Sequence, residues 1–456
     1  MNARTLASAG LIFLSTTRAW GQPSWQSGPA AAPDPNPTNP NPTVGLGLEA
    51  GQESPPLTQA TRVTLADAVA RALAKNPTYA TAMLEIQRAE AVVRETKAAW
   101  LPTVFGYGSF THLDGNRLEA GAVILGQNEL AANVTLTVPL VMTRQWLNTE
   151  ESRMSADATK ATGADVRRTV AYATGQAYLA VYAQKFVIDV DQRARDTAKK
   201  HADYAQQRYT GGVGNRIDFV RAEQEVATDE ALVEEAYATL ALAKEALGIL
   251  VGTEGPLDTA EDPVLAVPPS LKEGLDEAAH RTDVVALDAR LHAATKTSKD
   301  DWSDYAPYLV GFAEPFYQNP ATPTVPLTGY QLELLLTVPF YDGGLRYGQH
   351  RERDALREEA KVAYEAGLRQ ARSDVRSAFE AMRRADDALR SSRDAAKLAN
   401  DALELANIAY RGGAVTNIEV IDAERQARDA ETQAEVAANT ARQARLTMLA
   451  STGRFP

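Results

Sequence analysis

The sequence repeats itself once, and that repeat limits the possible folds more than any other feature. Residues 209–223 read YTGGVGNRIDFVRAE, and residues 410–424 read YRGGAVTNIEVIDAE. Tyr209 falls on Tyr410, Gly212 on Gly413, Asp218 on Glu419 and Glu223 on Glu424, at a constant offset of 201 residues. Val138-Pro139 against Val338-Pro339 and Gly252 against Gly453 keep about the same spacing. A period near two hundred residues is too long for a solenoid unit, so each copy is expected to be half of one body: residues 61–256 and 257–456.

Each copy of the stretch reads as a break between two helices. A helical pattern runs into the tyrosine, and Gly211-Gly212 or Gly412-Gly413 supplies the left-handed conformation that closes a helix end. Asn215 and Thr416-Asn417 are candidate caps for the outgoing helices. A plain helical hairpin explains the glycines. It leaves unexplained why Asp218 and Glu223, and again Glu419 and Asp422, fall within the first two turns of the outgoing helix, although the helix dipole favours some acidic charge there.

Between these turns the hydrophobic period changes with position. Residues 142–208 and 345–409 are uninterrupted helical patterns, each on the order of 100 Å long at 1.5 Å per residue. In the second, a heptad seam runs through Leu368, Ala371, Val375, Ala378, Met382, Ala385, Leu389, Ser392, Ala396, Ala399, Leu403, Ala406 and Tyr410. The first carries a poorer seam, with Gln184, Asp191 and Arg195 at the equivalent positions. Shorter helices are expected at 64–100 (interrupted at Asn76-Pro77), 217–251, 271–302 and 418–450, with 252–270 around the middle of the cylinder.

Four segments switch to a period of two: about 103–113, 130–140, 308–317 and 329–340. In the last, Tyr330, Leu332, Leu334, Leu336 and Val338 alternate with Gln331, Glu333, Leu335 and Thr337. Strands of this length with one apolar face fit a tilted membrane crossing in a closed barrel, which puts those five apolar residues against lipid. Four strands cannot close a barrel. Three copies would supply twelve, and cyclic symmetry would remove the open edges. The expected fold is a mixed α/β membrane protein: a long antiparallel coiled-coil α-barrel joined to a trimeric twelve-stranded transmembrane β-barrel.

Composition narrows the function. Aromatic residues make up 7% of the chain while alanine recurs every few positions, as in long, closely packed helices. A net charge of −12 without a basic cluster argues against nucleic acid. The absence of cysteine excludes disulfides, thiolate metal sites and a lipid on an N-terminal cysteine. The five histidines lack ligand spacing and read as surface residues. With no Ser/His/Asp, metal or phosphate-loop constellation, no enzyme and no cofactor are expected. Residues 1–21 read as a secretory signal and 22–60 as a proline-rich disordered leader.

Three stretches carry a family resemblance: TVPFYDGG at 337–344, its altered counterpart TVPLVMTR at 137–144, and YRGGAVTNIEVIDAE. Over roughly residues 61–453 the chain resembles the TolC family of outer-membrane efflux proteins. The resemblance implies a homotrimer in the outer membrane of a Gram-negative bacterium, with a periplasmic α-barrel entered between the glycine-turn hairpins. It implies a passive exit duct for efflux or type I secretion, served by a periplasmic adaptor and an inner-membrane pump of the RND, ABC or a similar class. By family position Glu419 and Asp422 match acidic entrance residues, with Asp218 and Arg221 as their first-half counterparts. Arg221 stands where Asp422 stands in the other half, so a salt bridge from Arg221 to a neighbouring acidic tip would latch the entrance. The turns at Tyr209, Gly211 and Gly212 and at Tyr410, Gly412 and Gly413 would receive the adaptor. The first half lacks the Asp-Gly-Gly that follows the last strand. A secreted or periplasmic coiled-coil scaffold without channel activity is the alternative.

Overall fold

The structure, a computed structural model, describes residues 60–455 apart from residues 120 and 324. The expected signal and all but the last residue of the leader therefore lie outside the described residues. The chain enters through a short strand, β1 (Thr61–Val63), and a helix, α1 (Leu65–Lys75). Thr64 caps α1 by accepting from the Asp67 amide at 3.2 Å. Asn76 ends that helix and starts the next, α2 (Pro77–Ala98), by accepting from the Thr78 amide at 2.9 Å. Its side-chain amide also donates to the Leu250 carbonyl at 2.8 Å, which pins the break to the body of the protein.

Two strands follow, β2 (Thr103–His112) and β5 (Asn128–Val141), joined through a small hairpin of β3 (Arg117–Glu119) and β4 (Ala122–Leu125). Then comes α3 (Thr143–Thr210), 68 residues long, and α4 (Arg216–Val251) returns from its tip. Gly252, at φ 75°, closes α4. A strand, β6 (Leu257–Thr259), then pairs in parallel with β1.

The second half repeats this order with differences. A short helix, α5 (Leu271–Glu277), begins with a capping box of Ser270 and Glu273. A 3₁₀ turn and Arg281 separate it from α6 (Thr282–Lys299), and a second 3₁₀ turn covers Asp300–Tyr305. The single helix read over 271–302 is thus broken. The break is held by the buried Arg281, which donates to Asp283 at 2.7 Å and to Asp374 at 3.0 Å. The strands β7 (Tyr308–Asn319) and β8 (Thr328–Thr337) lead to α7 (Leu345–Arg411) and α8 (Asn417–Thr452). Val338 lies one residue past the end of β8.

The two halves meet in one antiparallel sheet ordered β2-β5-β7-β8, so β5 of the first half pairs with β7 of the second. Only β2 and β8 are edges. Between strand and long helix the halves differ as their sequences do. Asp342 organises the turn after β8, accepting from the amides of Gly344 and Arg346 at 3.1 Å each and from Arg346 Nε at 2.6 Å. Gly343 and Gly344 there take φ values of 71° and 95°. In the first half β5 runs to Val141 and α3 starts at Thr143, which leaves no turn for an Asp-Gly-Gly to shape.

Every position of the α7 seam from Leu368 to Tyr410 is buried or half-buried, facing mainly α8. The poorer seam of α3 does not make it the more exposed of the two long helices. Far more of α3 is buried, because it packs against α1, α2, α4, α6 and α8, whereas α7 leaves Val362, Leu398, Leu405 and Ile408 more than half exposed. Asp191, which weakens the α3 heptad on paper, is itself buried.

Candidate functional site at the helix tips and the sheet

At the far end of the long helices, two turns of the same construction close the hairpins. The Val213 amide donates to the Arg208 carbonyl at 3.0 Å and the Gly212 amide to Tyr209 at 3.1 Å; Ala414 to Ala409 at 2.9 Å and Gly413 to Tyr410 at 3.0 Å repeat the pattern. These are paired bonds that satisfy the last carbonyls of a helix around a left-handed residue. Only the second glycine of each pair is left-handed, Gly212 and Gly413 both at φ 75°. Gly211 and Gly412 stay in the right-handed helical region at φ −75° and −76°.

The equivalent tyrosines part company. Tyr209 is 42% exposed and stacks on Phe219 of its own hairpin, ring centroids 6.4 Å apart. Tyr410 is buried at 5% exposure and inserts into the other hairpin. There it meets His201 and Tyr204 at 5.4 and 5.9 Å and lies under the Arg208 guanidinium at 5.1 Å.

Of the cap candidates, Asn215 accepts from the Ile217 amide at 3.3 Å. Thr416 occupies the other cap position, but its hydroxyl donates to the Glu419 carboxylate at 3.2 Å. Asn417 reaches across instead: its Nδ2 donates to the Asp218 carbonyl at 3.1 Å and its Oδ1 lies 2.7 Å from His201 Nε2. His201 is therefore not a surface residue. The other four histidines are exposed.

Glu419 and Asp422 are exposed, three residues apart on one face of α8. Asp218 is half-buried and Arg221 exposed. Within the chain Arg221 makes no ion pair among the described residues, so a latch formed by it has to reach a second copy.

Beneath the tips lies an acid–base cluster that the sequence reading missed. Glu225 and Asp229 of α4 and Arg425 and Arg428 of α8 join the two halves. Glu225 takes Arg425 Nη2 at 2.5 Å, and Arg428 Nη1 donates to Asp229 at 2.5 Å. The carboxylates are almost wholly buried, with side chains 1% and 4% exposed. The signal was available in the repeat: Arg425 lies one position from the residue equivalent to Glu225, so the same rung of the pseudo-symmetric pair carries opposite charges.

At the other end, the register sorts the sheet into two faces. Tyr330, Leu332, Leu334 and Leu336 are 63–77% exposed and pair with Pro315, Ala313, Gly311 and Leu309 of β7. Val134, Leu136 and Val138 of β5 and Val104 and Phe110 of β2 continue that apolar face. The opposite face is mixed: Gln331, Glu333, Glu314, Asn133, Thr135 and Thr137 share it with Leu335, Val310, Phe312, Phe316, Phe105 and Tyr107. There Asn133 donates to Glu314 at 2.5 Å and Thr135 at 3.4 Å. No helix among the described residues is long and apolar enough to cross a membrane. Among the same residues no group of three or more metal-ligating side chains is arranged to hold a metal ion.

The model of the family described as outer membrane efflux protein matches residues 68–253 and 276–454, one segment in each half. The chain belongs to the outer membrane efflux protein family. That membership places it among the TolC-like channel proteins of the Gram-negative outer membrane. The fold agrees with solved members. It superimposes on CusC with a TM-score of 0.76 at 17% identity, covering 89% of this chain and 95% of that one. VceC of Vibrio cholerae gives 0.74 at 19% identity, covering 85% and 96%. The CmeC outer membrane channel of Campylobacter jejuni gives 0.74 at 15%, covering 92% and 94%. Comparison with curated protein sequences finds no significant match.

Proposed function

We propose that three copies of this efflux protein assemble into an exit duct that passively conducts substrate from the periplasm through the outer membrane. The observation that carries the reading is the sheet: four antiparallel strands, one apolar face, one face that gathers the sheet's carboxylates and amides, and two unpaired edges, β2 and β8, of ten residues each. An open two-faced sheet is stable in a membrane only when its edges find partners. Joining β8 of one copy to β2 of the next closes twelve strands, with Tyr330, Leu332, Leu334 and Leu336, and Val338 just beyond, toward lipid, and Glu333, Gln331 and Glu314 toward the lumen.

The long helices then form a periplasmic barrel whose entrance lies between the tips. Turns at Tyr209-Gly212 and Tyr410-Gly413 meet the periplasmic adaptor, which couples the duct to an inner-membrane pump, and Glu419 and Asp422 line the entrance. The duct carries out no chemical step and needs no cofactor. Fractionation followed by planar-bilayer recording tests the reading: a heat-labile trimer in the outer-membrane fraction that passes ionic current supports it. A soluble, non-conducting protein would leave a coiled-coil scaffold.

A further inference from the structure

Glu424 of α8 stands apart from the paired carboxylates below it. It is 9% exposed, and neither carboxylate oxygen has a hydrogen-bond partner. It lines two clefts between α3, α7 and α8, one of about 230 Å³ beside Asp229 and Arg428 and one of about 300 Å³ beside His201 and Tyr410. A buried carboxylate without a donor favours its neutral form, because taking an unpaired charge out of water is costly.

The surroundings offer no compensating cation. From α4, Glu225 and Asp229 face Glu424 and repel its charge. On α8 itself Arg425 and Arg428 are committed to those two carboxylates. From α3, Arg193 pairs with Asp189 and Glu431, while Lys200, with Glu404 and Arg411 of α7, lines the second cleft with an exposed side chain. Among the described residues His201 of α3 is the one basic group within 4.0 Å, its Nδ1 3.9 Å from Glu424 Oε1.

We propose that Glu424 is a proton-binding site tying the two tip hairpins together, and that the entrance opens as this site gives up its proton. The inference rests on reading the hairpins as the entrance. In the closed arrangement the site holds a neutral acid beside a neutral imidazole, and so no net charge lies between Tyr410 and the cluster beneath. Burial, with Glu225 and Asp229 adding to it, raises the Glu424 pKa from 4.5 to about 8. Burial also lowers His201 below its ordinary 6.5.

The sign follows from linkage. Opening exposes both groups, so Glu424 then loses its proton from about pH 4.5 upward, and His201 gains one from about 6.5 downward. Between these values release and uptake offset each other. Above 6.5 the glutamate dominates: opening rises by up to about tenfold per pH unit, flattens near pH 8 where the closed-state glutamate is itself half ionised, and so gains about tenfold between pH 6.5 and 8.

The chain contains no cysteine, so Val213→Cys and Ala414→Cys, both at exposed tip positions, place spin labels cleanly. The separated-tip population should rise by that factor from pH 6.5 to 8 in otherwise wild-type protein. In the Glu424→Gln variant it should stay flat over the same range and rise only on acidification below 6.5. A flat wild-type titration, or the same rise in Glu424→Gln, overturns the proposal. The wild-type titration decides alone if the variant does not assemble. Because distances are read without current, a conducting protein with pH-insensitive tips rejects this inference only, and pH-responsive tips in a non-conducting protein reject the channel reading only.

Discussion

Arg425 forks onto Glu225 across 200 residues of chain, with Nε 2.8 Å and Nη2 2.5 Å from the same carboxylate oxygen. The contact holds α8 to α4 just below the tips. Arg428, 12% exposed, completes the cluster through Asp229. Removing one partner of a buried pair strands the other, at about 3–5 kcal/mol. Arg428→Ala should therefore lower stability by about that much, and Arg425→Ala, whose side chain is 43% exposed, by somewhat less but by more than a surface pair, because it leaves the buried Glu225 only the 3.4 Å contact to Arg428. Denaturant midpoints of the two variants check the ranking, and losses as small as a surface pair's would mean the cluster is more solvated than it looks.

The two tyrosines of the repeat predict an asymmetry. Truncating a fully packed aromatic costs about 3–5 kcal/mol, whereas an exposed one costs under about 1. Tyr410→Ala should release the tip end of α7 from α3 and Tyr209→Ala should not. Amide exchange at residues 411–420 distinguishes them: a large acceleration belongs to the Tyr410 variant alone.

On the sheet, Leu334→Arg puts a charge on the apolar face near the strand centre, at about 2–4 kcal/mol if that face meets lipid. Thr337→Arg places the same charge on the opposite face and should be tolerated. Yield of the heat-labile trimer is the measurement. If both variants assemble alike, the faces have been assigned to the wrong sides.

At the entrance, Glu419→Ala with Asp422→Ala should raise single-channel conductance, weaken cation selectivity and abolish block by trivalent cations, as expected when acidic rings are removed from a pore. A double variant identical to wild type in all three would place these carboxylates outside the conduction path. Thr416, which donates to Glu419 at 3.2 Å, would then serve only the helix start.

The long elements were legible because their periods are long: the α7 seam and the β8 alternation each persist over enough residues to exclude the other conformation. What escaped is polar and buried. His201 reads as a surface residue, and nothing in the pattern points to the burial of Glu225 or Glu424, because a single helix gives no hint that its polar stripe faces another from the opposite repeat. The break at Arg281 escaped for a related reason, since an arginine becomes a helix stop only through Asp283 and Asp374, the latter 93 residues away. The β3–β4 hairpin is too short for alternation to show.

The two free edges of the sheet are unlike in sequence: β2 reads TVFGYGSFTH and β8 TGYQLELLLT. In the proposed ring each copy offers one edge and receives the other, a head-to-tail contact that closes only when every link is sound. The genetic consequence is dominance. A chain with an intact β2 but a crippled β8 can still be recruited, and one such subunit breaks the circle. Expressed equally with the normal chain, it would leave about one eighth of assemblies composed of normal subunits alone if three mix at random. A damaged allele of this gene should therefore lower the number of intact trimers in a cell that still carries a good one far more than a deletion of the same allele does.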